Sequence, residues 1–380
     1  MTLRPVLWHY PAGPFFAISA ITACVFPWIW ILPGGDAHLL HLRLGLFGFG
    51  GAAIIGYVLT ALPAWSPHRP FLDTRMMVAA FLLARGLSVA FPAQIFPSFV
   101  LSVMIGVAIF MPALHAAGLS RLPIAAAPLS LAFGEAMIVA GWIPYSWAVL
   151  LMAGLILLVG GKAVPVFVAS DLARQGRHPS PLPPLWLPFV LVLPVMLLPG
   201  LAVWAVGIIL AASIFWRSGL TDRPNQATVL LGGAWSSLAL TLPGLLLLTG
   251  TELRQPIEHL FLIVTMGGTI FAFAGRAAMP RSSSGGLRPR SLQISGLALI
   301  LLAGLLRGTA ALAPPWLWFS LSACSWSAGW LCFLAVHLPA LWRPAPFPIL
   351  SASRKPEKAK DDDGAPRSGH GARRPASKTN

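Results

Sequence analysis

The sequence predicts an all-α fold: a polytopic membrane helix bundle of about twelve transmembrane helices, followed by a disordered basic C-terminal tail. Three observations predict it. Of the 380 residues, 57% are hydrophobic and only 10% charged, with a mean hydropathy of +0.77, far from a soluble globular average. The apolar residues fall into runs of roughly 20, the length at which a helix closes its own backbone hydrogen bonds across lipid. The arginines between the runs alternate from loop to loop, as the excess of basic residues in cytoplasmic loops requires.

Cutting at proline, glycine and charge clusters places the first six spans at about 14–33, 39–62, 74–91, 95–117, 122–143 and 145–169, and the second six at about 183–198, 200–216, 226–249, 257–278, 291–312 and 315–341. "ITAC" at 21–24 is similar to a lipoprotein cleavage box, but the apolar run continues through Trp28, Trp30 and Leu32, so the first span reads as a retained helix. The even-numbered loops carry Arg69, Arg121, Arg174 with Arg177, Arg217 with Arg223, and Arg281 with Arg288 and Arg290. The odd-numbered loops hold only Arg254. This pattern places both termini in the cytoplasm. From Ser351 onward, Lys, Arg, Asp, Ser, Gly and Pro dominate with no apolar face, the composition of a disordered tail able to brush anionic lipid. The chain therefore divides into an integral-membrane domain, 1–345, and a cytoplasmic tail, 346–380.

A net charge of +15 raises the question of nucleic acid, but eight of the 26 basic residues lie in the last 30 positions and most others in the loops. Membrane topology accounts for them, and no nucleic-acid partner is expected. Cys24, Cys324 and Cys332 all lie in apolar runs without a CxxC pair, so they read as packing residues. Conventional soluble-enzyme motifs are absent: there is no CxxCH, HExxH or P-loop.

Ionisable groups inside a membrane are costly and therefore functional candidates. Arg85 and Glu135 lie mid-span in two helices that run in the same direction, so they can pair; a structural ion pair and a proton or ligand path are the two readings. Lys162 and Arg307 lie near span ends, within snorkelling reach of headgroups. His115 and His337 lie near inner ends as helix caps, and His9, His68, His178 and His370 lie in aqueous segments. His38, His41 and His259 share the outer end of the membrane, and imidazole is the usual side-chain ligand of haem iron or copper. The second span opens "HLRLGLFGFGG" from His41 and the tenth opens "HLFLIVTMGG" from His259, a candidate repeat. Glycines 48, 50, 51, 56, 267 and 268 allow close approach of either a flat macrocycle or another helix.

These stretches resemble the NnrS family of bacterial inner-membrane proteins over most of residues 10 to 285. The family's "HxHEMLFGF...GFLLTAVPNW" is followed by "HLRLGLFGFGGAAIIGYVLTALPAW", its "GRRVIPFFT" by "GGKAVPVFVASDLARQG", and its "HALTVGAxG...TR" by "HLFLIVTMGGTIFAFAGR", with His259, Gly267 and Arg276 in gapless register. The resemblance implies a haem- and copper-associated inner-membrane protein linked to nitric oxide and nitrosative stress. It implies His41 and His259 as ligands of a b-type haem, with Arg43 and Arg276 as further cofactor-binding residues and His38 as a copper ligand. Haem-copper oxidases supply an analogy, holding a haem through histidines of the second and tenth of twelve helices. The chain departs from the family where Arg43 and Leu44 replace a second His and a Glu, and where Arg281 and Leu230 align with family histidines. Arg43 then faces either a haem propionate or the outer headgroups. The competing expectations are a cofactor-free transporter and a membrane scaffold or assembly subunit.

Overall fold

The computed structural model describes residues 12–31, 37–116, 118–197, 201–248, 250–280, 286–309 and 315–342. The tail from 346 onward, His9, Arg281 and His370 lie outside them. Among the described residues the secondary structure is helical, and each of the twelve apolar runs forms a helix or a chain of helices. The helices are α1 (Ala12–Val25), α2 (Ala37–Leu42), α3 (Gly51–Ala61), α4 (Thr74–Ala90), α5 (Phe96–Ala116), α6 (Leu122–Ala125), α7 (Ala127–Val139) and α8 (Tyr145–Arg174). They continue with α9 (Trp186–Leu197), α10 (Leu201–Arg217), α11 (Gln226–Ser236), α12 (Leu238–Leu247), α13 (Arg254–Leu260), α14 (Gly268–Gly275), α15 (Ser291–Thr309) and α16 (Pro315–Leu341).

Among the described residues, eight continuous helical stretches are long and apolar enough to cross a membrane, and a ninth is the pair α6–α7, bent by 44°. Among the described residues the helices long and apolar enough to cross are thus fewer than the roughly twelve spans the sequence predicts. α4 and α10 have 17 residues each and α9 has 12, lengths of about 25 and 18 Å at 1.5 Å per residue against a hydrocarbon core of about 30 Å. α9 and α10 nevertheless leave and return to one end of the bundle, because Arg177 Nη2 donates to the Asp222 carbonyl at 2.8 Å.

Local chemistry sets the helix ends. Asp73 caps α4 by accepting from Met76 N at 2.8 Å, and Asn225 caps α11 by accepting from Thr228 N at 3.0 Å. Gly219, at φ +66°, turns the chain between α10 and α11, and a β-carbon there would lie 2.7 Å from Val168; glycine alone serves both demands. In the core, Phe15, Phe49, Trp235, Phe261, Phe271, Trp330 and Phe333 are fully buried. α15 and α16 touch backbone to backbone, since a β-carbon on Gly296 would lie 2.9 Å from the Gly329 carbonyl oxygen and one on Gly329 2.8 Å from that of Gly296. Such small-residue contacts replace the hydrophobic drive that helices lack in lipid.

The two ends differ in charge. At one end the His68 and His115 rings meet at 6.3 Å and Lys162 Nζ donates to the Ser120 carbonyl. The same end gathers Asp171 with Asn225 and Arg276 with Thr228. The other end carries His38, Tyr145 and the 91–95 loop.

Candidate functional site

The repeat suspected between the second and tenth spans has a structural counterpart. In each, a short α-helix ending just past the histidine widens into a π-helix, Arg43–Gly50 in one and Phe261–Gly267 in the other, then returns to α-helix at Gly51 or Gly268 and ends in a 3-10 turn. His41 and His259 both stand two residues before the π-helix begins. Such widened turns are rare and concentrate at functional sites. The π turn is tied down from outside by Ser19 Oγ, which donates to the Phe49 carbonyl at 2.9 Å.

This arrangement brings His41, His259, His38 and Arg307 within electrostatic reach of one another. His41 Nδ1 lies 3.3 Å from the Phe26 carbonyl oxygen, and its ring packs edge-on against Phe26 at 5.0 Å. Trp30 Nε1 approaches the same nitrogen at 3.2 Å. The two contacts select opposite tautomers: a protonated Nδ1 donates to Phe26, and a bare one accepts from Trp30. His41 Nε2 has no hydrogen-bond partner among the described residues. His259 is more tightly defined. Its Nδ1 sits 2.9 Å from the Gln255 carbonyl oxygen and its Nε2 accepts from Arg307 Nη2 at 3.2 Å, which fixes the proton on Nδ1. The Arg307 guanidinium lies 4.0 Å above the Phe319 ring. Arg307 therefore turns inward to a histidine instead of snorkelling to the headgroups. His38 is exposed, with its ring 5.6 Å from Tyr145. Among the described residues no three His, Cys, Asp or Glu side chains gather closely enough to hold a metal ion.

Arg43 is fully buried and takes a different direction from His41. Two residues correspond to about 200° around a helix, so the two side chains project to opposite faces. Arg43 Nε donates to Glu135 Oε1, Nη1 to the Pro92 carbonyl and Nη2 to Ser98 Oγ, each at 2.8 Å. Its donors are spent inside the protein, away from headgroups and from the histidines. Arg85 meets the same carboxylate as a fork, Nη1 to Oε1 at 3.0 Å and Nη2 to Oε2 at 2.8 Å, and also reaches Ser102 Oγ at 3.2 Å. The suspected Arg85–Glu135 pair is thus a triad of two cations on one anion, carrying a formal charge of +1. It pins the second span to α4, α5 and α7.

Arg276 does not join the histidines. It lies at the far end of the tenth span, on the order of 25 Å along the axis, where it is buried, donates to Thr228 Oγ1 at 3.2 Å and stacks 4.2 Å from the Phe167 ring. His337 is likewise no simple helix cap: it is buried, its Nε2 lies 3.1 Å from the Gly13 carbonyl oxygen and its ring stacks on Phe333 at 4.9 Å. The glycines that offered room for a macrocycle face protein instead. A β-carbon on Gly267 would lie 2.5 Å from the Trp326 ring, one on Gly50 2.8 Å from Met152 and one on Gly56 3.0 Å from Phe15. Sequence reasoning singled out Arg307 but gave it to the headgroups; its contact with His259 spans 48 residues and carries no local signal.

The family described as NnrS protein matches the chain over residues 6–345. No curated protein matches it.

Proposed function

Because the chain belongs to the NnrS family, we propose that it is a haem-associated, multi-span protein of the bacterial inner membrane that takes part in the response to nitric oxide and nitrosative stress, with His41 and His259 as the haem ligands. One observation carries the reading: two spans of the same helix, π-helix, helix order present a histidine at the same step and at the same end of the bundle. The donor set fits. Both imidazoles have a backbone carbonyl beside Nδ1, the usual outer partner of a metal-bound histidine, which orients the ring and leaves Nε2 as the ligand atom. A bound haem supplies an iron that takes a small ligand or passes one electron. The chain's own part is to hold each Nδ1 proton on its carbonyl, and to move Arg307 off His259 Nε2 so that this lone pair is released. Copper, with His38 as its ligand, is the lesser part of the proposal, because one exposed imidazole is a thin ligand set.

Further parts of the reading concern topology. We propose that α4, α9 and α10 complete a set of twelve crossings, that the basic end of the bundle faces the cytoplasm together with both termini, and that the histidines open to the outer face. A reporter fused after Asn380 is expected in the cytoplasm, and a periplasmic result overturns the orientation.

The test of the haem assignment is the absorption spectrum and metal content of protein purified from a haem-replete host. A Soret band lost in both His41→Ala and His259→Ala is expected. A well-folded protein without the band, or a band indifferent to both changes, rejects the ligands. The buried Arg43–Glu135–Arg85 triad favours a second reading, a cofactor-free transporter; saturable uptake by haem-free protein, abolished in Glu135→Gln, is the result that selects it.

A further inference from the structure

Between the two repeated spans, deeper in the bundle than the π-helical turns, the packing leaves a cavity of about 50 Å³. α3 contributes Ala53 and Ile54, α14 contributes Thr269 and Ile270, and α8 closes it with Ile156 and Val164. No charged side chain lines it. Thr269 is buried, and its Oγ1 has no hydrogen-bond partner. That is unusual within this molecule. A helical hydroxyl ordinarily returns its proton to a carbonyl one turn back, as Thr60 does to Gly56 at 2.8 Å, Ser88 to Arg85 at 2.7 Å and Ser213 to Leu210 at 2.7 Å. Among the described residues, Thr269 is the one hydroxyl group that is buried and unpartnered.

Size, polarity and access narrow the occupant. The volume is room for about three or four water-sized groups. Water itself is a poor tenant, because a buried water needs about two to four polar partners and the wall offers the Thr269 hydroxyl, with the Tyr57 phenol the one other side-chain polar group of the lining. A charged ligand finds no counter-charge there and pays a desolvation cost that nothing offsets. The lining residues are buried except for Tyr57 and Val159, which are partly exposed and mark the way in. Neither residue of that entrance carries a charge, so it admits small uncharged molecules without a polar barrier. We propose that the cavity binds a small, uncharged, largely apolar molecule that carries one hydrogen-bond acceptor, held by a hydrogen bond donated from Thr269 Oγ1. The site is separate from the histidines and stands whether or not they hold a haem.

The experiment uses the full-length protein and two probes, xenon for size and apolarity and acetonitrile for the hydrogen bond. Xenon-pressurised crystals are expected to show a xenon peak in the cavity of the parent protein and of Thr269→Val, which keeps the shape and removes the hydroxyl. Ala53→Phe and Val164→Phe, filling the space from two different helices, are expected to abolish the peak. The nitrile stretch of bound acetonitrile is expected to carry a hydrogen-bond shift in the parent that disappears in Thr269→Val. An empty or water-filled cavity in the pressurised parent overturns the proposal. So does a xenon peak that survives in a filling variant melting like the parent, or a nitrile band indifferent to Thr269→Val.

Discussion

His41 and Arg43 leave the second span two residues apart and meet opposite environments. Arg43 enters a closed polar cluster in which Glu135, Ser98 and the Pro92 carbonyl take up its donors, so a charge that lipid would penalise is matched by a fixed set of partners. His41, with His259 and His38 across the mouth, sits in a looser group where one nitrogen is oriented and the other is either without a partner or capped by a single displaceable arginine. The difference separates two uses of costly side chains. A cluster in which all polar atoms but Arg85 Nε are paired fixes the relative position of helices, and a half-satisfied one keeps lone pairs available for a ligand.

The sharpest way to break that comparison is Glu135→Ala. It leaves Arg43 and Arg85 buried without an anion, and a loss of about 3–5 kcal/mol is expected, read as a large drop in the midpoint of thermal unfolding in detergent. An unchanged midpoint would show that the triad is not what holds these helices. Arg43→Leu comes next, at about 1–3 kcal/mol, because Glu135 keeps its fork to Arg85 while Ser98 and the Pro92 carbonyl each lose a donor. Its absorption spectrum is expected to match the parent's, since Arg43 points away from His41; a lost Soret band would join the two regions into one.

Arg307→Met removes one hydrogen bond and one cation–π contact on a partly exposed side chain, worth about 1 kcal/mol together. Its more informative consequence is at His259, whose Nε2 is then open to any metal, so imidazole-ligated haem content at limiting haem is expected to stay level or rise. A fall would make Arg307 a holder of the cofactor instead of a competitor for the lone pair. His41→Ala and His259→Ala remove half-buried rings with one or two hydrogen bonds each and are expected to cost about 1 kcal/mol or less, even as they remove the band.

Much of this was legible in the chain itself. Apolar run length located the helical stretches, because a backbone in lipid has no alternative to its own hydrogen bonds, though not the π and 3-10 breaks within them. The quoted motifs pointed to His41 and His259, and the match over residues 6–345 agrees with the family they suggested. The partners were not legible. Arg85 and Glu135 were paired on depth alone, but the third member, Arg43, lies 92 residues from Glu135, and no periodicity ties positions so far apart. Arg276 aligned with a family arginine and was grouped with the histidines, yet one continuous helix puts the two at opposite ends. The glycines were ambiguous for the same reason, since only the neighbour that packs on Gly267 decides whether the space belongs to a ligand or to Trp326.

What the sequence determined by itself was therefore the all-helical character of the chain, the positions of its apolar runs and the two histidine-led spans, all products of composition and local spacing. The tertiary structure alone decided which way each costly side chain faces, because that depends on helix rotation and on the widened π turns, and these are set by packing against segments remote in the chain. The cavity beside Thr269 is of the same kind: each wall residue is an ordinary apolar position, and the space exists only where α3, α8 and α14 fail to fill the gap between them.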